Sequence, residues 1–589
     1  MRRSKRTIIE NLYTGGLFVI LFLYFLIFNR YHILYLEQNQ LFRFNMAFIG
    51  NFFNAPGGLP LLTGGFFTQF FISPWAGALI ITLNLLAVYL LLRYIFMKYD
   101  LQNSILSLIP VLLLTLLQSS ELFTFDQSLG FLTALLFFAL YISVNKTAGR
   151  YILFSTGWPV FYILAGGFSI PVVLLCVLHE LLFRKEKNRY IISIQYILIC
   201  ILIPLITKQV IFYIQPNKIF IYPVVTELHS WFIYALILLF TWIPLILIIS
   251  YLLNKSKSIR NRLLSWDLVN ILAGTVIVLL LGFAVYKLAY NKKADMMLGI
   301  DHHVQQAEWD KVLKLSDKYP GFNTLVIYYT NLALYKTGHL FDKMFSYPQI
   351  GSKGLRLEWA RNLNLFFGGE VFYQLSYNNE SIHWAFEALV AKGLNPRSLK
   401  RLAIGCMVNG NNDIAEKYLG ILKQTLFYRK WARRYQTYIS DPALAQHDPE
   451  LRRHIDLRVH SNFFSQVNGL NLEDLLNNHP ENKMAYEYLV ASLLLDKNLD
   501  GFAQVILSLK NYGYNSLPLH IEEALIFYNF YEGQNVIPEG FSFRPETIKR
   551  FDAYATEYIK LRGDRAAAAY ELKKKYGDTY WYYLQFIDN

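Results

Sequence analysis

Cysteine is scarce in this chain. Only Cys176, Cys200 and Cys406 occur, with no CxxC pair and no Cys/His spacing of a zinc site. A disulfide framework and a structural metal are therefore excluded as organising devices, and no cofactor is expected. Catalytic signatures are missing too. There is no GxxxxGK ending in Ser or Thr, no HExxH and no GxSxG. Acidic residues are scarce in one half only. Residues 1–290 hold 9 Asp and Glu against 21 Lys and Arg, whereas the remainder holds 33 against 35. The formal excess of +14 thus lies almost wholly in the first half. Nucleic-acid binding needs a basic face on a soluble domain, so this distribution argues against it. No small-residue cleavage site follows the basic start MRRSKR, and the first apolar run reads as a retained span.

The first half is rich in apolar sequence instead. The whole chain is 54% hydrophobic and 16% aromatic. A helix crossing lipid needs roughly 17–25 apolar residues, because unpaired backbone groups there cost several kcal/mol each. Nine runs approach that length: 11–29, 74–97, 104–118, 128–144, 151–166, 168–183, 189–207, 229–253 and 267–289. The runs 151–166 and 168–183 are short and joined by Gly166-Gly167, which fits two tight spans or one re-entrant hairpin. With the N-terminus inside, 16 of the 21 basic residues fall in cytoplasmic segments and five outside. Removing one short span would place RKEKNR and NKSKSIRNR outside. The expectation is a transmembrane domain over 1–290 with about nine helices, its N-terminus cytoplasmic. Residues 291–589 then lie outside the cytoplasm.

From about residue 294 the pattern becomes that of amphipathic helices, giving an all-α chain. Leu325, Tyr328, Tyr329, Leu332 and Tyr335 recur at helical spacing, as do Ile414, Tyr418, Leu419, Leu422 and Leu426, and Ile521, Ala524, Leu525 and Tyr528. A polar turn recurs between such helices, in KTGHLFDKMF (336–345), FGGEVFYQL (367–375), VNGNNDIAEKYL (408–419), DKNLDGFAQVIL (496–507) and LRGDRAAAAYEL (561–572). Spacings of roughly 30 to 40 residues, or double that, match helix-turn-helix solenoids of the tetratricopeptide kind. AEWDKVLKLSDKYP (307–320) resembles one helix of such a repeat. The expected second domain, 291–589, is a helical-repeat array that binds protein or peptide partners.

Three acids stand at the outer edge of the bilayer in this topology. Glu37 lies in LYLEQNQLFRF, and Glu121 and Asp126 lie in QSSELFTFDQS. They are the candidate catalytic residues; a solvated or structural acid is the alternative for Glu37. The loop 30–73 carries Pro56, Gly57, Gly58, Pro60, Gly64 and Gly65, which rule out a continuous helix across it. Asp301-His302-His303 suggests a metal by composition, but neighbours on a helix diverge by about 100°, so a solvated juxtamembrane segment is expected. His179-Glu180 ends a span beside Arg184 and Lys185, where a carboxylate can pair or snorkel, and a structural role is expected.

The single outer-loop acid after the first span resembles the layout of C-superfamily glycosyltransferases. These use polyprenyl-linked sugars, and their base or metal-holding acid must sit at the membrane interface. LEQNQ departs from their paired-acid motif in holding one carboxylate, so Glu121 or Asp126 would have to supply the second. A resemblance runs through the whole chain as well. YLEQNQLF, GGFFTQFF, YYTNLALYKTG, NPRSLKRLAIGCMVNG and HIEEALIFY follow one another as in a bacterial, Bacteroidetes-type family of polytopic membrane proteins of unknown function with a helical-repeat tail. That resemblance implies an inner-membrane location and a periplasmic tail, and it supplies no catalytic residues. Two functions follow as expectations: a scaffold or assembly factor whose repeats hold a partner, or a transferase acting on a lipid-linked saccharide.

Overall fold

The computed structural model describes residues 2–101, 105–226, 230–253, 290–359, 362–459, 470–561 and 563–588, together with 276, 280, 282–284 and 286–289. Helices account for 76% of the structure. Among the described residues the sole extended pairing is an isolated bridge between Ile350 and Ser352. The chain divides into two compact units. One comprises Met1–Asp295 with Gln424–Phe427, the other Met296–Lys423 with Tyr428–Asn589.

In the first unit, five segments are long and apolar enough to cross a membrane: Pro74–Lys98, Phe125–Ser143, Thr147–Phe183, Arg189–Val210 and Phe232–Leu252. Thr14–Phe28 and Arg30–Gln38 make a sixth if counted as one span, although they bend by 69°. Large aliphatic side chains such as Leu90, Leu140, Ile197 and Leu245 face outward, as lipid-facing positions would. Five or six is fewer than the expected nine, for physical reasons. Ile105–Gln118 has 14 residues, which rise about 21 Å against a hydrocarbon core of about 30 Å. The run 267–289 lies largely outside the described residues. The runs 151–166 and 168–183 form a single broken segment.

That broken segment is a hairpin. Arg150 and Glu180 form an ion pair at 2.6 Å, whereas a straight helix would hold residues 30 positions apart at about 45 Å. The reversal occurs at Gly166, whose φ of 60° and ψ of −134° are open to glycine. A Cβ there would also meet the carbonyls of Tyr222 and Pro56 at 2.5 and 2.9 Å. The glycine-rich stretch of loop 30–73 behaves differently from its sequence signal. The chain is broken at 39–45 and 55–57, but Gly58–Thr68 is itself helical. Pro60 falls in its first turn, where a missing N–H removes no internal hydrogen bond.

Among the described residues of the second unit the same helix ending occurs five times. Ala307, Gly338, Ser376, Gly410 and Lys497 each adopt a left-handed φ, between 54° and 77°. At each, the left-handed residue donates its N–H to the carbonyl three residues back, and the next residue donates to the carbonyl five back. Examples are Gly338 to Tyr335 (3.0 Å) with His339 to Leu334 (2.8 Å), and Lys497 to Leu494 (3.1 Å) with Asn498 to Leu493 (2.9 Å). This pairing satisfies carbonyls that a helix end leaves open. A new helix starts two residues on, at Trp309, Leu340, Asn378, Asn412 and Leu499. Three of the corners carry a side chain at a conformation costing about 1–2 kcal/mol, which the packing must offset.

Two expectations for this unit are revised. Gly368-Gly369 does not make the turn in FGGEVFYQL; the corner is at Ser376. A Cβ on Gly368 would strike the Trp384 ring at 2.3 Å, so these glycines serve close packing. The helix Thr324–Lys336 is not amphipathic either: every residue from Leu325 to Leu334 is buried.

Candidate functional site

The helix Arg30–Gln38 begins at the bend after Phe28 and carries Glu37 on its last turn. Glu37 is 3% exposed. The Gln38 side-chain amide donates to its carboxylate at 2.5 Å. Around the bend, the His32 ring hydrogen-bonds the backbone of Gln118. Tyr24 meets Ser119 at 3.1 Å. The segment QSSELFTFDQS is thereby fastened to the bend at its first residues. Glu121, further along, is exposed. Asp126 occupies the first turn of Phe125–Ser143, where a carboxylate is favoured by the helix dipole. The Gln127 amide donates to it at 2.6 Å. Gly64 lets the neighbouring helix lie directly on it, since a Cβ there would meet Asp126 at 2.4 Å.

The three candidate acids therefore stand in three settings: buried, exposed, and at a helix start. Among the described residues, no three His, Cys, Asp or Glu side chains gather as a metal site. The region's distinguishing feature is a different one. Asn29 Nδ2, His32 Nε2, Asn39 Oδ1, Gln40 Nε2, Arg43 Nε and Gln118 Oε1 are all buried without a hydrogen-bond partner. Each such atom costs about 1–3 kcal/mol, and unsatisfied groups of this kind mark strained or functional places. A further acid joins the same bend. Asp295 receives the Tyr31 N–H, and burial raises its pKa to about 7, against a lowering pull from Arg30. Sequence reasoning passed over Asn29, His32, Gln118 and Asp295. The one available signal was a run of polar residues, NRYH, placed between apolar turns.

At another place in this unit the charges are fully matched. Arg150 Nε and Nη2 reach the two Glu180 oxygens at 2.6 and 3.2 Å, and both residues are 1% exposed. The Tyr141 hydroxyl adds a bond to Glu180 at 2.7 Å. Glu180 was expected to pair with Arg184 or Lys185. Instead Arg184 Nε lies 3.2 Å from His179, and the hairpin delivers Arg150.

The second unit holds an ionic core. Asp301, expected to be solvated, is 7% exposed. Arg397 Nη1 donates to both its oxygens at 2.9 and 3.0 Å, and Tyr329 donates its hydroxyl at 2.6 Å. His303, two residues on, contacts Glu308 at 2.6 Å. Glu370 is bound by Arg401 (2.7 Å), Gln305 (3.0 Å) and Gln374 (2.8 Å). Burial alone would raise its pKa, but Arg401, Arg397 and these amides hold it down at about 2. Two open grooves mark the surface. One of about 330 Å³ is lined by Arg356, Asn471, Glu473, Asp474 and their neighbours. The other, about 580 Å³, runs past Arg452 and Arg453.

No curated protein and no solved structure matches this sequence. The profile of one protein family, described as a family of unknown function, matches residues 5–587. A match over nearly the whole length means that this helical chain belongs to that family, DUF6057.

Proposed function

We propose that the chain is a bacterial inner-membrane scaffold or assembly factor. Its first domain, 1–290, spans the bilayer with a cytoplasmic N-terminus. Its second, 291–589, is a periplasmic helical-repeat array that binds a protein or peptide partner. The observation that carries this reading is the recurrence of one corner geometry at 307, 338, 376, 410 and 497. The first four are 31, 38 and 34 residues apart, within the range of helix-pair repeats. Stacked helix pairs present long surfaces suited to extended partners. The hairpin supports the orientation, because it returns Glu180 to the end that holds Arg150 and so keeps RKEKNR on the side of the N-terminus. Each arm then counts as a short span.

A chromosomal deletion complemented by variants tests the reading. Glu37→Ala and Asp126→Ala should complement fully, and truncation after residue 299 should fail. A reporter active only outside the cytoplasm, fused after residue 300, should be active; an inactive fusion would overturn the orientation. A second reading, a C-superfamily-type transferase using a polyprenyl-linked sugar, draws support from the unpartnered buried polar atoms of residues 29–43, the stretch that carries Glu37. It requires that Glu37→Ala abolish complementation at unchanged protein level.

A further inference from the structure

The two arms of the hairpin Thr147–Phe183 come together at the end that holds the Arg150–Glu180 pair. The helix Pro74–Lys98 closes at the same end, since the Tyr99 hydroxyl lies 2.7 Å from His179 Nδ1 and its ring centre 4.6 Å from that of Phe183. This end is strongly basic. Beyond the Arg150–Glu180 pair it carries Lys98, Lys146, Arg184, Lys185, Lys187 and Arg189 against two carboxylates, Asp100 and Glu186. Glu186 takes the Thr147 hydroxyl at 2.9 Å. Among the described residues no ion pair joins Glu186 or Asp100 to any of those six cations.

One of these cations is held in place. The last turn of the second arm, His179–Phe183, is a π turn, a form frequent at functional sites. Arg184, the next residue, reaches back and donates its Nε–H to His179 Nε2 at 3.2 Å. An arginine nitrogen only donates, so that ring nitrogen is the acceptor, and Nδ1 carries the hydrogen that binds the Tyr99 hydroxyl. His179 and Tyr99 are both buried. The guanidinium is therefore fixed through a buried pair, while its Nη1 and Nη2 make no hydrogen bond or ion pair among the described residues. Nitrogens of a rigid guanidinium fork match two oxygens of a phosphate.

The neighbours of Arg184 favour a phosphate carried by a lipid. Arg189 donates to the Leu181 and Arg184 carbonyls, each at 3.3 Å, and its guanidinium carbon lies 4.9 Å from the Tyr190 ring centre. Lys98 stands 5.5 Å from the ring centre of Tyr94. Tyrosines at span ends mark the headgroup level of a bilayer. Ile191, Ile194 and Leu198 share one exposed face of the helix Arg189–Val210, an apolar stripe that starts beside the cations. A ligand with a phosphate at its head and hydrocarbon behind it meets both features, whereas a soluble phosphate meets only the first. Clusters of about four to eight Lys and Arg next to a span attract anionic lipid. We propose that this end of the hairpin binds the headgroup phosphate of an anionic phospholipid, with Arg184 as its anchor and the surrounding lysines selecting net negative charge. The inference goes beyond both functions above and holds for either orientation in the bilayer.

The test is native mass spectrometry of the full chain in detergent, titrated with dioleoyl-phosphatidylglycerol or dioleoyl-phosphatidylcholine. Both lipids carry a phosphate, and only the first is a net anion. Phosphatidylglycerol should bind about tenfold tighter or more. Arg184→Gln should weaken it about tenfold, and Arg184→Lys should restore only part of the loss, because an ammonium cannot make the two-pronged contact. The exposed pair Lys185→Gln/Lys187→Gln should cost about threefold or more. Lys218→Gln, an exposed cation in the loop that packs on the hairpin tip through Tyr222 and Gly167, should change the affinity less than twofold. Equal affinity for the two lipids, or equal losses in Arg184→Gln and Lys218→Gln, would overturn the proposal. Should Arg184→Gln fail to fold, unchanged affinity in Lys185→Gln/Lys187→Gln would overturn it as well. Displacement of the lipid by millimolar inorganic phosphate would assign Arg184 to a soluble phosphate and overturn the lipid assignment.

Discussion

Breaking the Asp301–Arg397 pair tests the ionic core of the second unit. Arg397→Met keeps a side chain of similar length against Phe366, whose ring centre lies 4.8 Å from the guanidinium carbon. It removes both bonds to Asp301 and leaves that carboxylate buried with the Tyr329 hydroxyl as its remaining side-chain donor. An uncompensated buried charge costs about 3–5 kcal/mol. Domains of 150–250 residues lose about 2–4 °C of melting temperature per kcal/mol, so a fall of about 10 °C is expected. Removing both charges should cost much less, because a buried ion pair and an apolar pair of similar volume are close in free energy. Arg397→Met/Asp301→Leu should therefore recover at least half of the loss. The assay is thermal unfolding of the full chain in detergent, with hydrogen exchange read on the helices Thr324–Lys336 and Pro396–Val408. A single variant within about 1 kcal/mol of wild type, or a double variant as unstable as the summed singles, would refute the argument.

Two further outcomes follow. Asp295 has a folded pKa of about 7 against an ordinary 3.8, so the unfolded chain ionises first as pH rises. Stability should fall between about pH 4 and pH 7 and level off above, by at most about 4 kcal/mol; Asp295→Asn should flatten melting temperatures measured at pH 5, 6, 7 and 8, and parallel curves for both proteins would contradict this. The hairpin brings the Thr147 hydroxyl 2.9 Å from Glu186, so Thr147→Cys/Glu186→Cys should crosslink under mild oxidation, seen as a thiol-labelling loss; a straight helix would hold the two about 58 Å apart and leave both thiols reactive.

The helical character of this chain was legible because it depends on local signals. Apolar runs, the absence of alternating patterns and punctuation by Gly and Asn all act within one or two turns of helix. Two corners were harder to find. Gly338 and Gly410 announce themselves, since glycine reaches a positive φ without steric cost, and the corner at Lys497 lies in the polar turn of DKNLDGFAQVIL. Ala307 and Ser376 give no such signal, because their surroundings impose the conformation on residues that disfavour it. The Gly368-Gly369 pair misled for the complementary reason. A glycine can be required by a ring pressed against it, and nothing local separates that need from a turn.

The charged residues follow the same division more severely. Glu180 and Arg150 are 30 residues apart, and Asp301 and Arg397 are 96 apart. Each residue alone looks like a solvated or snorkelling charge, and in both cases the chain brings a partner from a distant helix instead. Burial then reverses the expected energetics, since a charge that would be nearly neutral in water becomes costly to leave alone. Glu37 shows the limit of reading such residues singly. Its carboxylate is as buried as those two acids, yet residues 29–43, the stretch that carries it, together with Gln118 leave six buried polar atoms without a hydrogen-bond partner. Glu180, by contrast, has both oxygens bound by Arg150 and a further bond from the Tyr141 hydroxyl. The contrast between the two sites, more than the acid itself, is why Glu37→Ala is the substitution that separates the two proposed functions.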